Sequence, residues 1–337
     1  MKIMLIHSGN KVEGDSSKYT FVHEQGSALQ KLGCEVEYFA VVGKGVRGYL
    51  RNVKPLQKII AEFKPDIVHA HFGLCGMVAV LAAGKNVPVV ITCHNGETLS
   101  RSANIITSLA VSKAAYAIYV EQHIRDLSFV KAKNYSIIPC GVPMEQMVVT
   151  PKEEARKQLG WSPNKKYILF GGAFENKRKN YELLKAAVDK LLNNPSYIKH
   201  NTSGIECVEM KGLTRSQCVL RMCACDVFAL PSHSEGSPQA LKEAMAVNCP
   251  CLATDIADVR VLFGDEPGLF VLRNPNNTNV RWDADENSLD DMVALLKQAL
   301  AFDGRTQGRA RILALQLSNE QIAKRLMDIY KQVLCKV

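Results

Sequence analysis

The sequence predicts an α/β protein with two halves, each built around a parallel β-sheet. Short apolar runs of strand length alternate with segments of helical periodicity along the whole chain, and this alternation is typical of parallel sheets covered by helices. The chain has 337 residues, a length that suggests two domains of ordinary size. Hydrophobic residues make up 47% of the sequence, which is enough to fill a core in each half.

Each expected strand is an apolar run, rich in Val and Ile, that is bounded by Gly, Pro or polar residues. In chain order, the first set of strands covers residues 2–7, 35–42, 67–71, 87–92, 117–120 and 135–139. The second set covers residues 167–172, 207–210, 226–230, 249–253 and 269–272. A polar segment over 150–154 separates the two sets and suits a linker.

Two helices frame this organisation. Residues 21–32 carry a helical pattern that ends near Gly33 and joins the first two strands. Residues 319–334 are expected to form the last helix, because apolar side chains recur at helical spacing, at Ile322, Leu326, Ile329, Tyr330 and Val333.

The net charge is +9, and its densest positive stretch runs from Lys44 to Lys64. Apolar residues alternate with the cations there at roughly helical spacing, which predicts one basic amphipathic helix. One interpretation is a helix that packs on the core and exposes a solvated basic face. The other is docking on an anionic membrane surface. Nucleic acid is not an expected partner, because few aromatic side chains accompany the charges.

Composition also excludes several classes of protein. No secretory signal is expected, because the apolar run at residues 3–6 is too short. No stretch of 18 uninterrupted apolar residues predicts a membrane-spanning helix. The 11 cysteines are odd in number and scattered beside apolar runs, which favours reduced, buried thiols over a disulfide scaffold. A cytoplasmic protein is therefore expected, with the inner membrane surface as the alternative location.

The segment 231–246 carries the most information about function. It follows an apolar strand and leads into a helical pattern, with Glu235 and Glu243 eight positions apart. Pro238 suits the first position of that helix, and a helix start offers free N–H groups and a positive dipole end to an anion. Eight residues of helix rise about 12 Å, comparable to the distance from hexose to ribose in a nucleotide sugar. The alternative is a capped surface helix with two solvated glutamates.

This segment resembles the E-x7-E motif of retaining glycosyltransferases of family 4, which have the GT-B fold. The wording Glu-Gly-Ser-Pro-Gln-Ala-Leu-Lys-Glu-Ala-Met-Ala, from Glu235 to Ala246, is similar to that family's pattern along its whole length. The resemblance extends over most of the chain. It implies two Rossmann-like domains whose parallel sheets face each other across a cleft.

Two glycine-containing loops after strands are candidate phosphate sites. Gly9 follows the first strand, and the family places a glycine there against the donor diphosphate; an ordinary turn is the alternative. No G-x-G-x-x-G motif occurs in this turn, which counts against a dinucleotide oxidoreductase. Gly172 precedes three consecutive cations, Lys177 to Lys179, which suit a diphosphate or a solvated basic turn. The family places an arginine early in this loop and a lysine a few residues later. The resemblance matches that lysine to Lys179, and Arg178 or Lys177 is the candidate for the arginine.

Histidines follow two other strands. His94 matches a T-x-H-G segment of the family whose histidine lies near the donor hexose, although Asn95 interrupts the His-Gly step. A polar loop residue is the alternative interpretation of His94. His69 and His71 alternate on a strand and share a face, as a metal pair would, but no third ligand is evident and no metal is predicted.

The resemblance then implies a role for each residue. Glu235, Lys179 and His94 are the expected catalytic residues, with Glu235 holding the transferred sugar and Lys179 stabilising the leaving diphosphate. Glu243 is expected to bind the ribose hydroxyls. The remaining donor-binding candidates are Gly9, Gly172, Arg178, Gly236, Ser237 and Gln239.

We therefore predict a retaining, metal-independent transfer of a hexose-type sugar from a nucleotide sugar, without a cofactor. The expected acceptor is a glycan or glycolipid, in cell-surface polysaccharide synthesis. The expected domains are an acceptor-side domain over 1–150, a donor domain over 151–318, and a terminal helix over 319–337 that crosses back to the first domain.

Two alternatives stay open at the level of sequence. A GT-B sugar-nucleotide epimerase would use the same cleft and would isomerise a nucleotide sugar without an acceptor. A non-catalytic scaffold would bind a sugar nucleotide or a glycan without turnover, and the presence of Glu235, Glu243 and Lys179 argues against it.

Overall fold

The computed structural model of the chain describes residues 1–9, 20–98, 100–194 and 204–336. These residues form two compact units. The first unit comprises the described residues up to 141 together with 317–336, and the second comprises those from 142 to 316. Each unit is an α/β sandwich around one parallel sheet, as the sequence predicts.

The first unit contains a six-stranded parallel sheet with the strand order β2-β1-β3-β4-β5-β6. Its strands are β1 (Lys2–Ser8), β2 (Glu35–Val41), β3 (Ile67–His71), β4 (Val89–Cys93), β5 (Tyr116–Tyr119) and β6 (Tyr135–Ile137). The helices between them are α1 (Thr20–Lys31), α2 (Gly45–Leu50), α3 (Val53–Phe63), α4 (Gly73–Ala83), α5 (Arg101–Lys113) and α6 (Gln122–Leu127), with a 3₁₀ turn at Asn95–Glu97.

The second unit contains a five-stranded parallel sheet with the order β11-β10-β9-β7-β8. Its strands are β7 (Lys166–Phe170), β8 (Ile205–Glu209), β9 (Val227–Leu230), β10 (Cys251–Thr254) and β11 (Leu269–Leu272). The helices are α7 (Lys152–Leu159), α8 (Tyr181–Leu192), α9 (Arg215–Ala224), α10 (Gln239–Ala246), α11 (Val259–Phe263), α12 (Ser288–Ala301) and α13 (Gly308–Ala314), with a 3₁₀ turn at Lys177–Lys179.

Helices cover both sheets, so the central strands are buried on both faces. Every residue of β3, β4, β5, β9 and β10 is buried, and for this reason these strands are mostly apolar along their whole length, apart from the two histidines of β3 and the threonines of β4 and β10. In each sheet the strand order reverses next to the unit's first strand, between β1 and β3 and between β7 and β9. In open parallel sheets, ligands bind beyond the strand ends at such a point.

The last helix, α14 (Asn319–Leu334), belongs to the first unit. Ser318 and Gln321 form a capping box at its start. The guanidinium of Arg325 donates to the backbone oxygen of Ile137 at 2.9 Å, and the hydroxyl of Tyr330 lies 2.6 Å from Nδ1 of the buried His69. The helix is thus tied to two strands of the first sheet.

The units divide after Gly141 and after Gln316, whereas the sequence suggested boundaries near 150 and 318. The first difference has a local cause: Arg309 donates to the backbone oxygens of Met144 and Met147, which ties the segment that starts at Val142 to the second unit. The roles expected for the domains stay a prediction.

The single basic helix expected over Lys44 to Lys64 is wrong in its details. The segment forms two helices, α2 and α3, which are separated by Arg51 and Asn52. Pro55 is the reason, because it lies in the first turn of α3 and its ring excludes a helical carbonyl four residues earlier. The side chain of Asn52 donates to the backbone oxygens of Gly48 and Tyr49 and so caps the end of α2.

Within the described ranges, no helix combines the length and the apolar character that crossing a membrane requires.

Candidate active site

The site in the second unit lies where β7 and β9 end. These neighbouring strands are parallel, so the loops that follow them emerge at the same edge of the sheet. The loop after β7 carries Lys177–Lys179, and the loop after β9 carries Glu235. The backbone N–H of His233 donates to the carbonyl oxygen of Arg178 at 2.9 Å, so the two loops are joined directly.

Glu235 is the centre of this site. Nζ of Lys179 donates to Oε1 of Glu235 at 2.7 Å, and Nη1 of Arg178 lies 3.0 Å from Oε2. Arg178 also donates to the backbone oxygen of Ser234 at 2.6 Å. The structure therefore brings together three residues that the sequence singled out, and it places the carboxylate between two cations.

These contacts decide the charge of Glu235. Burial alone would raise the pKa of this carboxyl, since only 8% of the residue is exposed. The charges and hydrogen bonds of Lys179 and Arg178 outweigh burial and lower the pKa to about 2. Glu235 is consequently a carboxylate at any physiological pH, able to accept hydrogen bonds and not to donate a proton.

A second network supports the turn that follows Glu235. Lys242 is fully buried, and its Nζ donates to Oγ of Ser237 at 3.1 Å. The Ser237 hydroxyl in turn donates to Oδ2 of Asp258 at 2.6 Å. Ser237, expected to contact the donor, thus holds the turn between Glu235 and α10 through a buried lysine and an aspartate.

The start of α10 differs by one residue from the expectation. The helix begins at Gln239, and Pro238 occupies the position before it, with φ −69° and ψ 104°. Gly236 lies buried in the preceding turn. Pro238 has no backbone N–H, so it donates no hydrogen bond at the start of the helix, as the sequence indicates.

Glu243 has a partner that sequence reasoning missed. Nη1 of Arg215, at the start of α9, donates to Oε1 of Glu243 at 2.5 Å. Burial raises the pKa of Glu243, although Arg215, Lys242 and a hydrogen bond from Gln239 oppose that shift. Arg215 follows the loop after β8. Its position after the end of a strand is the one feature of the sequence that could have predicted it as a site residue.

Gly172 has a steric reason to be glycine. A Cβ at this position would lie 3.0 Å from Cγ of Lys179. The backbone oxygen of Gly172 accepts from the N–H of Met210, which fixes the loop after β7. The glycine therefore lets the Lys179 side chain run along the backbone towards Glu235.

The first unit holds a separate cluster around His94, beyond the ends of β3 and β4. Nε2 of His94 lies 3.3 Å from Nδ1 of His71, and its Nδ1 lies 3.9 Å from Sγ of Cys140. The rings of Phe21 and Phe72 pack on His94, with centroid distances of 5.1 and 4.5 Å. The aromatic and cysteine neighbours of His94 were not anticipated.

His69 and His71 stack with ring centroids 4.8 Å apart. Both side chains are fully buried, and burial lowers the pKa of His69 to about 3 and that of His71 well below its usual value. Hydrogen bonds to Thr92 and Tyr330 occupy the two ring nitrogens of His69. Over the described part of the chain, no group of three or more His, Cys, Asp or Glu residues is arranged to hold a metal ion.

Gly9 follows β1, and its backbone N–H donates to the oxygen of Val41 at the end of β2. A Cβ on Gly9 would lie 2.9 Å from Cβ of Ala40 and from Cγ2 of Val42. The close approach of β2 thus requires glycine here, whatever ligand the loop meets.

Comparisons with known proteins agree with this fold. Residues 20–146 match Glycosyltransferase Family 4, and residues 165–280 match Glycosyl transferases group 1. The sucrose-phosphate synthase of Thermosynechococcus elongatus superimposes with a TM-score of 0.78 over 100% of both chains at 18% identity. Anabaena HepE, solved in complex with UDP and glucose, gives a TM-score of 0.70 at 14% identity over 98% of this chain and 100% of its own.

The curated relatives that the chain matches are glycosyltransferases that are longer than the matched region. The chain is 25% identical to the teichuronic acid biosynthesis glycosyltransferase TuaC of Bacillus subtilis, over 68% of this chain and 65% of the relative. It is 27% identical to the UDP-N-acetylglucosamine--N-acetylmuramyl-(pentapeptide) pyrophosphoryl-undecaprenol N-acetylglucosamine transferase of Leuconostoc mesenteroides, over 86% of this chain and 75% of the relative. The chain thus spans about two thirds to three quarters of these relatives.

Two units, each built around a parallel sheet, have the architecture of the GT-B class, and the two family matches are both to glycosyltransferases. The two family matches together span most of the chain, which belongs to glycosyltransferase family 4.

Proposed function

We propose that this enzyme transfers a hexose-type sugar, with retention, from a nucleotide sugar to a glycan or lipid-linked acceptor in cell-surface polysaccharide synthesis. The observation that carries the proposal is the Glu235 carboxylate held between Lys179 and Arg178 beyond β7 and β9. HepE was solved with UDP and glucose, and the relatives named above act in teichuronic acid synthesis and on an undecaprenol-linked substrate. These names support the donor and acceptor classes.

The charges of the site suit a sugar diphosphate. Lys179 and Arg178 are the cations that would neutralise the diphosphate, and their present partner is Glu235. A bound diphosphate would share these cations, and Glu235 would then accept hydrogen bonds from the sugar hydroxyls. Glu243 would accept hydrogen bonds from the ribose hydroxyls, with Arg215 balancing its charge.

The step itself is a substitution at the anomeric carbon. The bond from that carbon to the diphosphate oxygen breaks, and the electron pair leaves with the diphosphate. The acceptor oxygen forms the new glycosidic bond on the same face, and its proton passes to the leaving diphosphate. Lys179 and Arg178 stabilise the charge that grows on the leaving group. His94, by the family resemblance, hydrogen-bonds a hydroxyl of the transferred sugar.

A panel of nucleotide sugars tests this proposal. We expect one or more of them to raise the melting temperature, since a ligand at 100 times its Kd stabilises by about 2.7 kcal/mol. The stabilising donor is then incubated with membrane-lipid and glycan extracts, and nucleotide release and the anomer formed are measured. Isomerisation without acceptor would indicate an epimerase, and binding without turnover would indicate a scaffold.

We also propose contact with an anionic membrane surface through Lys44–Lys64. In this segment, Val46 and Leu50 on α2 are exposed, and the exposed cations Lys44, Arg47 and Arg51 lie next to them in the sequence. Flotation with vesicles of phosphatidylglycerol and phosphatidylcholine tests this contact. Replacing Lys44 and Arg47 by Glu should abolish flotation, whereas the same replacement of the exposed Lys157 and Lys185 in the second unit should not.

A further inference from the structure

Glu97 is a buried acidic residue of the first unit, and the proposed reaction gives it no role. It ends the 3₁₀ turn Asn95–Glu97, directly after β4, and only 5% of the residue is exposed. Its Oε1 accepts from the backbone N–H of His94 at 2.9 Å and from that of Gly73 at 3.3 Å. One carboxyl oxygen therefore joins the loop after β4 to the start of α4, which follows the neighbouring strand β3.

The turn that Glu97 holds is strained. Phe72 has φ +71°, a region that side chains other than glycine seldom adopt. The next residue, Gly73, has no room for a side chain, because a Cβ there would lie 1.9 Å from Oγ1 of Thr107. Such a backbone persists only where its surroundings fix it. The N–H of Phe72 donates to the oxygen of Thr92, and the oxygen of Phe72 accepts from Gly76. The N–H of Gly73 donates to Glu97, so Glu97 contributes one of three hydrogen bonds that fix the turn.

The strained turn determines which residues lie beside the His94 ring. It places the Phe72 ring 4.5 Å from the His94 ring, centroid to centroid. His71, the last residue of β3, places Nδ1 3.3 Å from Nε2 of His94. The Glu97 carboxyl thus fixes the backbone of His94 directly, and it fixes the residues that touch the His94 ring through Gly73. The turn that the carboxyl holds also places the backbone N–H of Glu97, which donates to the His94 side chain.

The other oxygen of Glu97, Oε2, is buried and makes no hydrogen bond to any residue that the structure describes. Among the residues that the structure describes, the titratable groups that bear on this site are Cys75, Cys93, His71 and His94, and no lysine or arginine is among them. Burial raises the pKa of Glu97 to about 8 against the opposing effect of three backbone N–H groups, so the carboxyl is mostly neutral at pH 7. Glutamine is consequently a close mimic of the side chain in this state.

We propose that Glu97 is the positioning residue for His94: it clamps the ends of β3 and β4 and thereby sets the direction and tautomer of the His94 ring. The catalytic importance of this role rests on the proposed function of His94. The structural part of the proposal does not, and the two parts are tested by separate measurements.

The first measurement is NMR of the ring nitrogens in protein labelled with ¹⁵N-histidine. The His94 signals are assigned as those lost in His94→Gln. We expect one tautomer in the wild type and in Glu97→Gln, and a mixture of tautomers in Glu97→Ala. Glu97→Met fills a similar volume without an acceptor, and it replaces Glu97→Ala if that variant fails to fold. His94 signals that are unchanged in folded Glu97→Ala or Glu97→Met would overturn the proposal.

A matched control separates this role from the loss of any glutamate side chain that accepts from a backbone N–H. Glu121 accepts from the backbone N–H of His123 at 2.6 Å in the loop after β5. Glu121→Ala should alter the signals of His123 and leave those of His94 unchanged. If Glu121→Ala perturbs His94 as strongly as Glu97→Ala does, the effect is not specific and the proposal fails.

The second measurement is transfer from the donor found in the nucleotide-sugar panel. Glu97→Ala should lower kcat about 10- to 100-fold, as a misplaced catalytic group does, with less than about threefold change in KM for the donor. Glu97→Gln should restore kcat to within about threefold of the wild type. An unchanged kcat in His94→Gln would refute the catalytic role of His94, while the NMR result would still decide the role of Glu97.

Discussion

At the scale of single residues, the site depends on pairs of opposite charge that are distant in sequence. Glu235 pairs with Lys179 and Arg178, and Glu243 pairs with Arg215. The motif predicted the two glutamates because their spacing is local. It did not predict Arg215, because a partner 28 residues away depends on how β8 and β9 are ordered in the sheet.

Glu243→Ala should weaken the binding of the nucleoside diphosphate part of the donor. The substitution removes a charge-assisted hydrogen bond to ribose of about 1.5–3 kcal/mol, so Kd should rise about 10- to 150-fold. Titration calorimetry with the free nucleoside diphosphate of the donor found in the nucleotide-sugar panel measures this change. Glu206→Ala removes an exposed glutamate of the same unit and should leave Kd unchanged; equal affinities in all three proteins would refute the ribose role.

The pairing of Glu235 should make stability depend on pH. Its pKa in the folded protein, about 2, lies below the ordinary value of 4.5, so the pair stabilises the fold above pH 4.5. This contribution is lost as pH falls from about 4.5 to about 2. Urea unfolding should therefore show Glu235→Gln less stable than the wild type at pH 7, with a deficit that is reduced to about a quarter near pH 2.5.

Glu182→Gln, an exposed substitution in the first turn of α8, is the control and should match the wild type at both pH values. A deficit of Glu235→Gln that is the same at pH 7 and at pH 2.5 would contradict the ion-pair account.

At the scale of elements, the sequence predicted most where the apolar pattern is local and regular. The expected bounds of β3, β11 and α14 are those observed: β11 is an unbroken apolar run, α14 has a regular apolar face, and β3 is apolar apart from its two histidines. The single helix over Lys44–Lys64 was wrong, because the apolar spacing continues across a point where Pro55 stops the hydrogen bonding. The pattern of charges and the apolar spacing do not predict this effect of proline on the backbone.

The last helix is fixed to β3 by one buried hydrogen bond. Tyr330→Phe removes the hydroxyl that lies 2.6 Å from Nδ1 of His69 and leaves that nitrogen buried without this partner. The free energy of unfolding should fall by about 1–3 kcal/mol, as chemical denaturation would show. Tyr135→Phe removes a hydroxyl from a residue that is 38% exposed and should change stability by less than about 0.5 kcal/mol. Equal losses would contradict the assigned role of Tyr330.

At the scale of the whole molecule, each sheet has one switch point with polar side chains at its edge. Strand alternation predicted both sheets, since the apolar runs of parallel strands are visible in the sequence. The residues that meet at these edges were only partly predictable. Contacts such as Glu97 to Gly73 depend on which strands are neighbours and on a strained turn that no sequence pattern marks.

Fixed cations should make a divalent ion unnecessary for the reaction. Lys179 and Arg178 already supply positive charge beside Glu235, where a metal would otherwise balance a diphosphate. Transfer should therefore persist in excess chelator. Loss of transfer in chelator, reversed by magnesium or manganese, would overturn this expectation. The candidate ligands would then be His69 and His71, or Asp283 and Asp285, an Asp-x-Asp pair in the polar segment between β11 and α12.

The most direct test of the account is the effect of Lys179→Ala on turnover and on donor binding, measured separately. Because leaving-group charge grows in the transition state, kcat should fall about 100- to 1,000-fold, while Kd for the nucleotide sugar should rise less than about tenfold. Lys177→Ala, which removes the exposed cation two residues earlier, should change neither value by more than about threefold. Weakened donor binding with kcat unchanged, or no change in either quantity, would contradict the assignment of Lys179 to the leaving group.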